Sequence, residues 1–344
     1  MKYSNRFFDI NFPDAGIYVS SLPMATKIIT VSYVTLTVLL YILRMAHYQK
    51  LGEEDDIQYI VVPILELIPS KVLQYPTSIV LSNLVDIVLW RFILTLLNLV
   101  MGGSFIERNW GSTKELFIFI LGLGSITNCF IVLVTYLLAS VFPGVRLDVP
   151  LDGNYTILIG FPIIYRQLLP ETTIIDIKYP NILSKNFRFK LLPIFVLCVM
   201  TFMQLIWFHH FAQLISLWVT FFVTWIYLRF YQRLPALSNS GSTIQSEIIV
   251  GDASDTFQLI YFFPDFMKPV LRPVFDVSYK FFCEKLRIIK PFDADDIDKG
   301  NQVAVSRGAK TADDAIDDIE AGSRRRELAL KVLNQRMDES QEAS

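Results

Sequence analysis

The sequence offers few side chains that could perform nucleophilic chemistry inside a membrane. It contains three histidines, and two of them, His209 and His210, are adjacent in a long apolar region. A histidine can act as a general base toward a serine or threonine hydroxyl. The hydroxyls in comparable apolar positions are Thr156, in the stretch PLDGNYTILIG (150–160), and Ser216. Because nothing else prepares either hydroxyl for attack, we predict that the chain has no catalytic residues.

Two charged residues, Asp86 and Arg91, also fall in an apolar region. An arginine inside a bilayer costs roughly 2.5–3.5 kcal/mol on insertion scales unless it pairs or reaches water. A spacing of five residues does not place the two side chains on quite the same helix face. They therefore either pair or, as we favour, both lie near the aqueous end of a span. We expect no metal, cofactor or nucleic-acid partner, and the three widely separated cysteines are unlike a disulfide or metal site.

The composition is that of a multi-pass membrane protein. Of the 344 residues, 53% are hydrophobic and only 19% are charged, against about a quarter in soluble domains. A spanning helix needs about 20 mostly apolar residues. The fourth predicted span is short and is interrupted by Pro162. The sequence predicts an all-α fold with six spans, at 24–46, 84–106, 116–139, 154–170, 190–208 and 211–231.

The distribution of lysine and arginine predicts that both termini are cytosolic. In that orientation the short inside loops carry Arg108, Lys114 and the basic group of 166–190, whereas the outside basic residues are spread over longer loops. The parts that follow are a cytosolic N-terminal segment (1–23), a six-span membrane domain (24–232), a linker (233–256), a juxtamembrane amphipathic helix region (257–292), an acidic disordered linker (293–322) and a basic C-terminal helix (323–338).

The tail contains two predicted helices. Between 265 and 290, an apolar stripe that includes Val270 and Val274 lies opposite charged residues that recur every three or four positions. This helix either lies on an anionic cytosolic leaflet or packs on the ends of the spans. The second helix (323–337) is too short to be stable alone in water, so we expect it to fold on a partner. Its partner-binding candidates are Arg324, Arg325, Arg326, Leu330 and Leu333.

A short motif follows the second predicted span, in the stretch MGGSFIERNWGSTK (101–114). Paired glycines let one helix approach another closely. The spacing of the glycines, the Glu-Arg pair and the Trp-Gly pair resembles a loop of the rhomboid intramembrane proteins, and six spans with both ends inside agree with that family. The motif residues are Gly102, Gly103, Glu107, Arg108, Trp110 and Gly111.

The residues that a rhomboid protease needs are not in place. Such a protease carries a serine at the start of its fourth span and a histidine in its sixth. When Gly160 is aligned with a family glycine of the fourth span, Asp152 occupies the serine position. His209 and His210 lie at the mouth of the sixth span, about one turn too early for the protease geometry. The resemblance therefore implies a rhomboid-like fold without the protease dyad.

Three further segments carry a narrower resemblance. They are the exit of the fourth span, the stretch WIYLRFYQR (225–233) with the residues after it, and the basic helix near the C-terminus. Together with GGSFIERNWG they resemble the transmembrane protein 115 family of Golgi membrane proteins, and the chain looks like a fungal member. The additional matching residues are Gly160, Gln167, Pro170, Trp225, Arg229, Tyr231, Arg233, Gly251, Asp252, Phe262, Phe263 and Pro264.

This resemblance implies a non-catalytic Golgi membrane protein that self-associates and supports Golgi-to-ER retrograde transport, with vesicle tethering machinery bound to its cytosolic tail. Residence in the ER is the alternative, because the sequence contains no readable address motif. Two other functions stay open. The first is a quality-control receptor for transmembrane clients. The second, which is the least favoured, is an atypical protease that depends on Asp152, Thr156, Ser216 or His210.

Overall fold

The computed structural model describes residues 2–4, 8–11, 22–51, 60–142, 145–151, 153, 155–169, 172–177, 187–208, 211–235, 248–263, 267–285 and 290–309. These residues are mostly helical, as predicted. The helices are α1 (Met24–Leu51), α2 (Ser78–Leu81), α3 (Leu89–Trp110), α4 (Thr113–Val141), α5 (Tyr155–Leu168), α6 (Phe189–Ile206), α7 (Ala212–Tyr231), α8 (Lys268–Lys280) and α9 (Ala294–Ser306).

Five of the described helices, α1, α3, α4, α6 and α7, are long and apolar enough to cross a membrane. The predicted fourth span corresponds to α5, which has only 14 residues, fewer than the roughly 20 that a lipid-exposed span requires. Every residue of α5 except Tyr165 is buried. The helix is therefore covered by its neighbours along its whole length, and protein replaces lipid around it.

The centre of the membrane domain is the packing of α5 against α3, α4, α6 and α7. In lipid, apolar helices gain little from burial alone, so close approach and shape decide how they associate. A β-carbon added at Gly160 of α5 would lie 2.7 Å from the Phe119 ring of α4. Glycine is therefore needed at this crossing, which the rings of Phe119, Phe161 and Phe221 fill from three helices.

The start of α3 differs from the prediction. The helix begins at Leu89 rather than at residue 84, because Val88 is extended and the preceding residues form a 3-10 turn at Ser82–Leu84. A π-turn, Asn98–Gly103, then interrupts it before it continues to Trp110. Asp86 consequently lies outside the helix that contains Arg91, and the helical spacing between the two does not apply.

The segment between α1 and α3 covers the end of the domain that lies away from the C-terminal tail. Glu66 pairs with the buried Arg44 of α1, and one of its oxygens accepts a hydrogen bond from the Val62 amide at 2.5 Å. Ser70 donates to Asp148 at 2.7 Å. These contacts tie the segment to α1 and to the residues that precede α5.

Two small sheets accompany the helices, and the sequence predicted neither. β1 (Lys2–Ser4), β2 (Phe8–Asn11), β3 (Thr173–Ile177) and β4 (Phe187–Arg188) form an antiparallel sheet in that order, with Phe8 opposite Ile177. It joins the N-terminal segment to the connection between α5 and α6. β5 (Arg233–Pro235) pairs with β6 (Ile248–Val250), with Leu234 opposite Ile249. This second sheet returns the chain to the end of α7.

The tail is more ordered than its composition predicts. Residues 294–306, which we expected to be part of a disordered acidic linker, form α9. Asp293 caps the helix, and the Asp296 carboxylate accepts a hydrogen bond from the Asp293 amide, which is a capping box. Carboxylates at a helix N-terminus satisfy free amides and complement the helix dipole. The acidic residues at the start of this stretch therefore favour the helix.

Candidate functional site

The motif at 101–114 joins α1, α3 and α5. A β-carbon at Gly102 would overlap the Tyr165 hydroxyl of α5, at 1.7 Å, and one at Gly103 would lie 3.3 Å from Thr26 of α1. Tyr165 in turn donates to Asn98 at 2.8 Å. The two glycines thus face different helices. Tyr165 occupies the space of a side chain at Gly102, and Thr26 leaves only a tight space for one at Gly103.

Glu107 caps the first spanning helix. Its carboxylate accepts hydrogen bonds from the Ala25 amide at 3.0 Å, from the Thr26 amide at 2.7 Å and from the Thr26 hydroxyl at 2.8 Å. The first amides of a helix have no partner within the helix, and a negative charge there is stabilising. Glu107 therefore has a structural task, since it fixes the start of α1 on the end of α3.

The rest of this motif forms the corner between α3 and α4. Gly111 has a φ of 61° and ends α3, a left-handed conformation that favours glycine. Trp110 is buried, and its ring lies 5.9 Å from that of Phe119. Arg108 points to the exposed surface. The motif residues therefore build a helix corner.

The segment after the last span returns to the membrane domain and is held there; residues 251–263 are called the clamped segment below. Gly251 has a φ of 73°, and a β-carbon on it would lie 2.3 Å from the Arg229 carbonyl oxygen of α7. Its amide donates to the Gln232 carbonyl at 2.7 Å. Glycine is therefore the only residue type that can lie this close to the Arg229 carbonyl without a backbone shift.

Arg229 is the main contact between α7 and the clamped segment. It is 8% exposed, and its guanidinium donates to the Asp252 carbonyl at 2.6 Å and to the Ser254 carbonyl. The same group lies 5.1 Å from the ring centre of Phe292. A buried arginine needs several acceptors to offset the loss of water, and here backbone carbonyls supply them. Asp252 keeps the bend by accepting from the amide and the hydroxyl of Ser254.

Arg166 holds the same segment from α5. Its guanidinium donates to the Lys190 carbonyl at 2.9 Å and to the Thr256 carbonyl at 3.3 Å, and it lies 3.9 Å from the ring centre of Phe262. The next residue, Gln167, donates to Gln232 at the end of α7 at 3.1 Å. Arg166 and Gln167 together thereby join the end of α5 to the start of α6, to the end of α7 and to the clamped segment.

Aromatic side chains complete the attachment of the clamped segment. Phe257 and Phe262 are almost fully buried, and the Phe262 ring contacts that of Phe221 edge-on at 5.8 Å. The Trp225 indole donates to the Phe257 carbonyl at 3.1 Å. Phe263 is buried beside them, whereas Tyr231 and Arg233 are exposed. The clamped segment, which overlaps the predicted linker 233–256, is thus part of the membrane domain's core.

Helix α9 docks on the outer side of the clamped segment. A β-carbon at Gly300 would lie 2.7 Å from the Ser254 amide, so the two backbones are in close contact. Asn301 and Asp255 bond reciprocally: the Asp255 amide donates to the Asn301 side chain at 2.8 Å, and the Asn301 amide group donates back at 2.9 Å. Phe292, just before α9, stacks on Phe230 with the ring centres 5.3 Å apart.

One further ion pair closes this docking. Arg307, after α9, lies 3.7 Å from Asp252. Burial lowers the pKa of Arg307, and the Asp252 carboxylate opposes that shift. Sequence reasoning missed this contact and the docking of α9. The spacing of Asp293 and Asp296, which is that of a capping box, could have predicted the start of α9.

The two charges within the apolar region pair with each other. Arg91 lies 3.0 Å from Asp86, both are buried, and Tyr33 of α1 donates to the same carboxylate. The Arg91 guanidinium lies 5.1 Å from the ring centre of Tyr155, whose hydroxyl accepts from Gln204 at 3.3 Å. The pair therefore forms at the start of α3, as one of the two alternatives predicted, and it links α1, α3, α5 and α6.

The candidates for nucleophilic chemistry do not assemble among the described residues. Thr156 is buried in α5, and the Ser216 hydroxyl donates to the Ala212 carbonyl of its own helix at 3.0 Å. A residue that the sequence did not single out, Ser82, is the hydroxyl beside the entry to α5. A β-carbon at Gly153 would lie 2.4 Å from it, and it accepts from Asn128 at 3.1 Å.

Several predicted residues lie outside the described parts of the chain. They comprise the rhomboid-aligned position and the two adjacent histidines, two prolines of the family motifs, and the whole basic C-terminal helix. Within the described residues, no group of histidine, cysteine, aspartate and glutamate side chains has the arrangement of a metal site. The residues in question are Asp152, His209, His210, Pro170, Pro264, Arg324, Arg325, Arg326, Leu330 and Leu333.

The structure is that of a multi-pass helical membrane protein. Helices that are long and apolar enough to cross a bilayer pack around a buried central helix, and the tail docks on them. Residues 27–339 match the family described as "Eukaryotic integral membrane protein (DUF1751)". The chain is 56% identical to the Transmembrane protein 115 homolog of Saccharomyces cerevisiae over 98% of its own length and 99% of the relative's. The chain belongs to the transmembrane protein 115 family.

More distant relatives agree with this assignment. The chain is 25% identical to Rhomboid-like protein 19 of Arabidopsis thaliana, over 80% of this chain and 81% of the relative. It is 24% identical to Transmembrane protein 115 of Homo sapiens, over 74% of this chain and 66% of that protein. No solved structure matches the chain. The predicted likeness to rhomboid proteins is supported by the Arabidopsis relative.

Proposed function

We propose that the protein is a non-catalytic adaptor of the Golgi membrane, which recruits vesicle tethering machinery for Golgi-to-ER retrograde transport through its C-terminal tail. The Golgi and the transport step rest on the family resemblance. The observation that carries the adaptor role is the clamp: Arg166 and Arg229 hold residues 251–263 on the membrane domain. A tail fixed in this way emerges from a defined place on the bundle.

The orientation with both ends in the cytosol is supported by the charges on the clamped side. Arg108, Lys114, Lys190 and Arg233 lie at this end of the helices, with α8 and α9 beside them. At the opposite end Arg44 is paired with Glu66. An excess of lysine and arginine marks the cytosolic side of a membrane protein, so the tail faces the compartment in which coat and tethering proteins act.

The motif residues are consistent with a non-catalytic role. Close packing or a left-handed backbone accounts for the glycines of the family motifs, and Glu107 caps a helix. Each of these residues therefore has a structural partner that accounts for its type. The atypical protease is the weaker alternative. It requires Asp152, Thr156, Ser216 or His210 to be essential, and Ser216 already donates to its own helix.

The experiment is affinity purification of the full-length protein in mild detergent, beside a version that ends at Ala309. A truncation at residue 256 is unsuitable, because Phe257 and Phe262 belong to the core. We expect tethering or coat proteins to bind the intact chain and to be lost on truncation, while membrane insertion and the melting temperature stay unchanged. Unchanged binding by the truncated protein would contradict a tail-borne adaptor.

Full-length point variants provide the matched test. Replacement of Arg324, Arg325 and Arg326 by alanine, or of Leu330 and Leu333 by alanine, should reduce recruitment in the same way as truncation. Microscopy of the tagged protein against Golgi and ER markers tests its residence. Self-association, which the resemblance implies, is tested by co-purification of two differently tagged copies. Two tags that never co-purify would argue against an oligomer.

The quality-control receptor is a second candidate, favoured by the exposed apolar surface of the bundle. In the apolar 18-residue stretch of each helix, only 28% of the α1 residues and 22% of the α6 residues are buried within the chain. A photocrosslinking residue at Phe202, which is exposed, should capture client membrane proteins if this candidate is correct. The same residue at the buried Phe119 is the control. Crosslinks to lipid alone at Phe202 would leave the adaptor as the better proposal.

A further inference from the structure

Helix α8 carries an apolar strip that the described part of the chain leaves uncovered. Val270, Val274 and Val277 are 70%, 55% and 68% exposed, and Phe281 in the following π-turn is 45% exposed. They recur every three or four residues and therefore lie along one side of the helix. A contiguous strip of this kind marks a binding surface more often than a water-exposed face.

The adjacent strip of α8 packs on the membrane domain. Met267, Leu271 and Phe275 contact the main core cluster, and the ring centres of Phe275 and Phe263 are 5.8 Å apart. Lys268 lies 4.8 Å from the ring centre of Tyr261. Since Tyr261 and Phe263 belong to the clamped segment, α8 is held at the end of the spanning bundle.

The third strip of α8 is charged, and its position fixes how the helix can lie. At about 100° per residue, the packed strip around Leu271 is about a quarter turn from the exposed strip around Val274. Arg272 and Asp276 lie beyond the packed strip, nearly opposite the exposed apolar one. With its packed strip against the protein, α8 can direct valines to lipid and charges to water only when it lies parallel to the membrane surface.

We propose that α8 and the turn to Lys285 lie in the interface of an anionic leaflet, with Val270, Val274 and Val277 at the acyl boundary. Lipid is the occupant because α8 is attached beside the membrane ends of α5 and α7, so the apolar phase next to the strip is the bilayer. The charge agrees, since residues 267–290 contain six basic and two acidic side chains. A basic amphipathic helix binds an anionic leaflet through both contributions.

This surface is distinct from the recruitment of soluble machinery, because it lies before the truncation point at Ala309. In this arrangement α8 does both things that its amphipathic pattern allows, packing on the spans and lying on the leaflet. One strip packs on the spans, and the neighbouring strip rests on lipid. The leaflet contact would make the bilayer a third support for the clamped segment, beside α5 and α7.

The test uses the full-length chain in nanodiscs, with its three native cysteines replaced by alanine. A nitroxide label is attached at Val277→Cys or, as the matched control one residue away, at Asp276→Cys. We expect the label at 277 to collide with oxygen and to be shielded from a water-soluble nickel chelate, and the label at 276 to show the reverse. Equal nickel access at both positions would overturn the proposal. Shielding from both reagents at 277 would also overturn it, because protein would then cover the strip.

The anionic preference is tested by lipid composition. Phosphatidylserine added to phosphatidylcholine nanodiscs should lower nickel access at position 277 several-fold, and Lys280→Glu with Lys285→Glu, at exposed positions nearer the apolar strip, should abolish that change. No response to phosphatidylserine in the parent chain would overturn the anionic assignment. Val274→Asp should raise nickel access at 277 in both lipid mixtures. The melting temperature of each variant confirms that the membrane domain is folded.

Discussion

Two buried arginines of this protein are satisfied in different ways. Arg91, inside the bundle, pairs with the carboxylate of Asp86 at 3.0 Å. Arg229, at the end of α7, donates to the backbone carbonyls of Asp252 and Ser254. In the first case a charge is offset by an opposite charge, and in the second it is offset by the dipoles of a bent chain segment.

The difference determines what each arginine specifies. A buried ion pair needs only its partner, so apolar side chains of similar volume can replace it with little loss of stability. A guanidinium that binds carbonyls depends on the path of the backbone, and no single side-chain exchange restores that contact. Arg91 therefore specifies how α1, α3 and α5 are arranged, whereas Arg229 specifies where the tail is attached.

The largest effect is expected when the ion pair is broken from one side. Asp86→Ala leaves Arg91 buried without its carboxylate, and the free energy of unfolding should fall by about 3–5 kcal/mol. The measurement is reversible denaturation of the purified protein in mixed micelles. Asp86→Leu combined with Arg91→Met, with Tyr33→Phe to remove the hydroxyl left without its acceptor, should recover most of the loss. If the combined variant is as unstable as Asp86→Ala, the pair is more than a replaceable link.

The second effect tests whether the clamp depends on backbone shape. Gly251→Ala forces a side chain into a φ of 73°, which costs about 1–3 kcal/mol, and also places its β-carbon 2.3 Å from the Arg229 carbonyl oxygen. Gly308→Ala is the matched control, since its φ is 87° but open space surrounds it. Amide exchange across 251–263 should increase for Gly251→Ala and stay near the parent value for Gly308→Ala. Equal exchange in the two variants would show that the close approach is unimportant.

The parts of the fold that the sequence predicted are those in which residue type alone decides. Charge-free apolar stretches identify α1, α4 and α7, because lipid excludes other side chains. The family motifs identified Gly251 and Arg229 as a pair of matched positions. The sequence did not predict what these two residues do. The hydrogen bonds from the Arg229 guanidinium to carbonyls of the clamped segment depend on the path of the backbone, and a pattern of side chains does not specify that path.

Two arguments from the sequence did not hold for the opposite reason, since a local rule was applied where tertiary structure overrides it. Asp86 and Arg91 were compared as helix neighbours, but α3 begins at Leu89 and Asp86 lies before it. The acidic stretch after residue 293 was read from its charge, yet α9 forms there and rests on the clamped segment through Gly300 and Asn301. Composition describes an isolated segment, and these residues are not isolated.

A smaller effect separates the guanidinium from its charge. Arg229→Lys keeps the positive charge but removes the planar guanidinium, which lies over the Phe292 ring while one of its nitrogens donates to both carbonyls. A hydrogen bond from a charged group is worth about 1.5–3 kcal/mol, so exchange across 251–263 should increase by that order. Arg233→Lys, at an exposed position of β5, is the control and should leave exchange unchanged. A stable Arg229→Lys protein would mean that charge alone holds the clamped segment.

The smallest effect concerns the outer layer of the tail. Asn301→Ala removes the reciprocal hydrogen bonds with Asp255, at about 0.5–1.5 kcal/mol for each bond. Amide exchange in α9 should increase while exchange in 251–263 stays unchanged, because Arg229 and Arg166 hold that segment from the other side. Asp298→Ala, an exposed carboxylate on the same helix, is the control. If exchange rises in both segments, α9 supports the clamp, and the boundary of the membrane domain moves outward to Ala309.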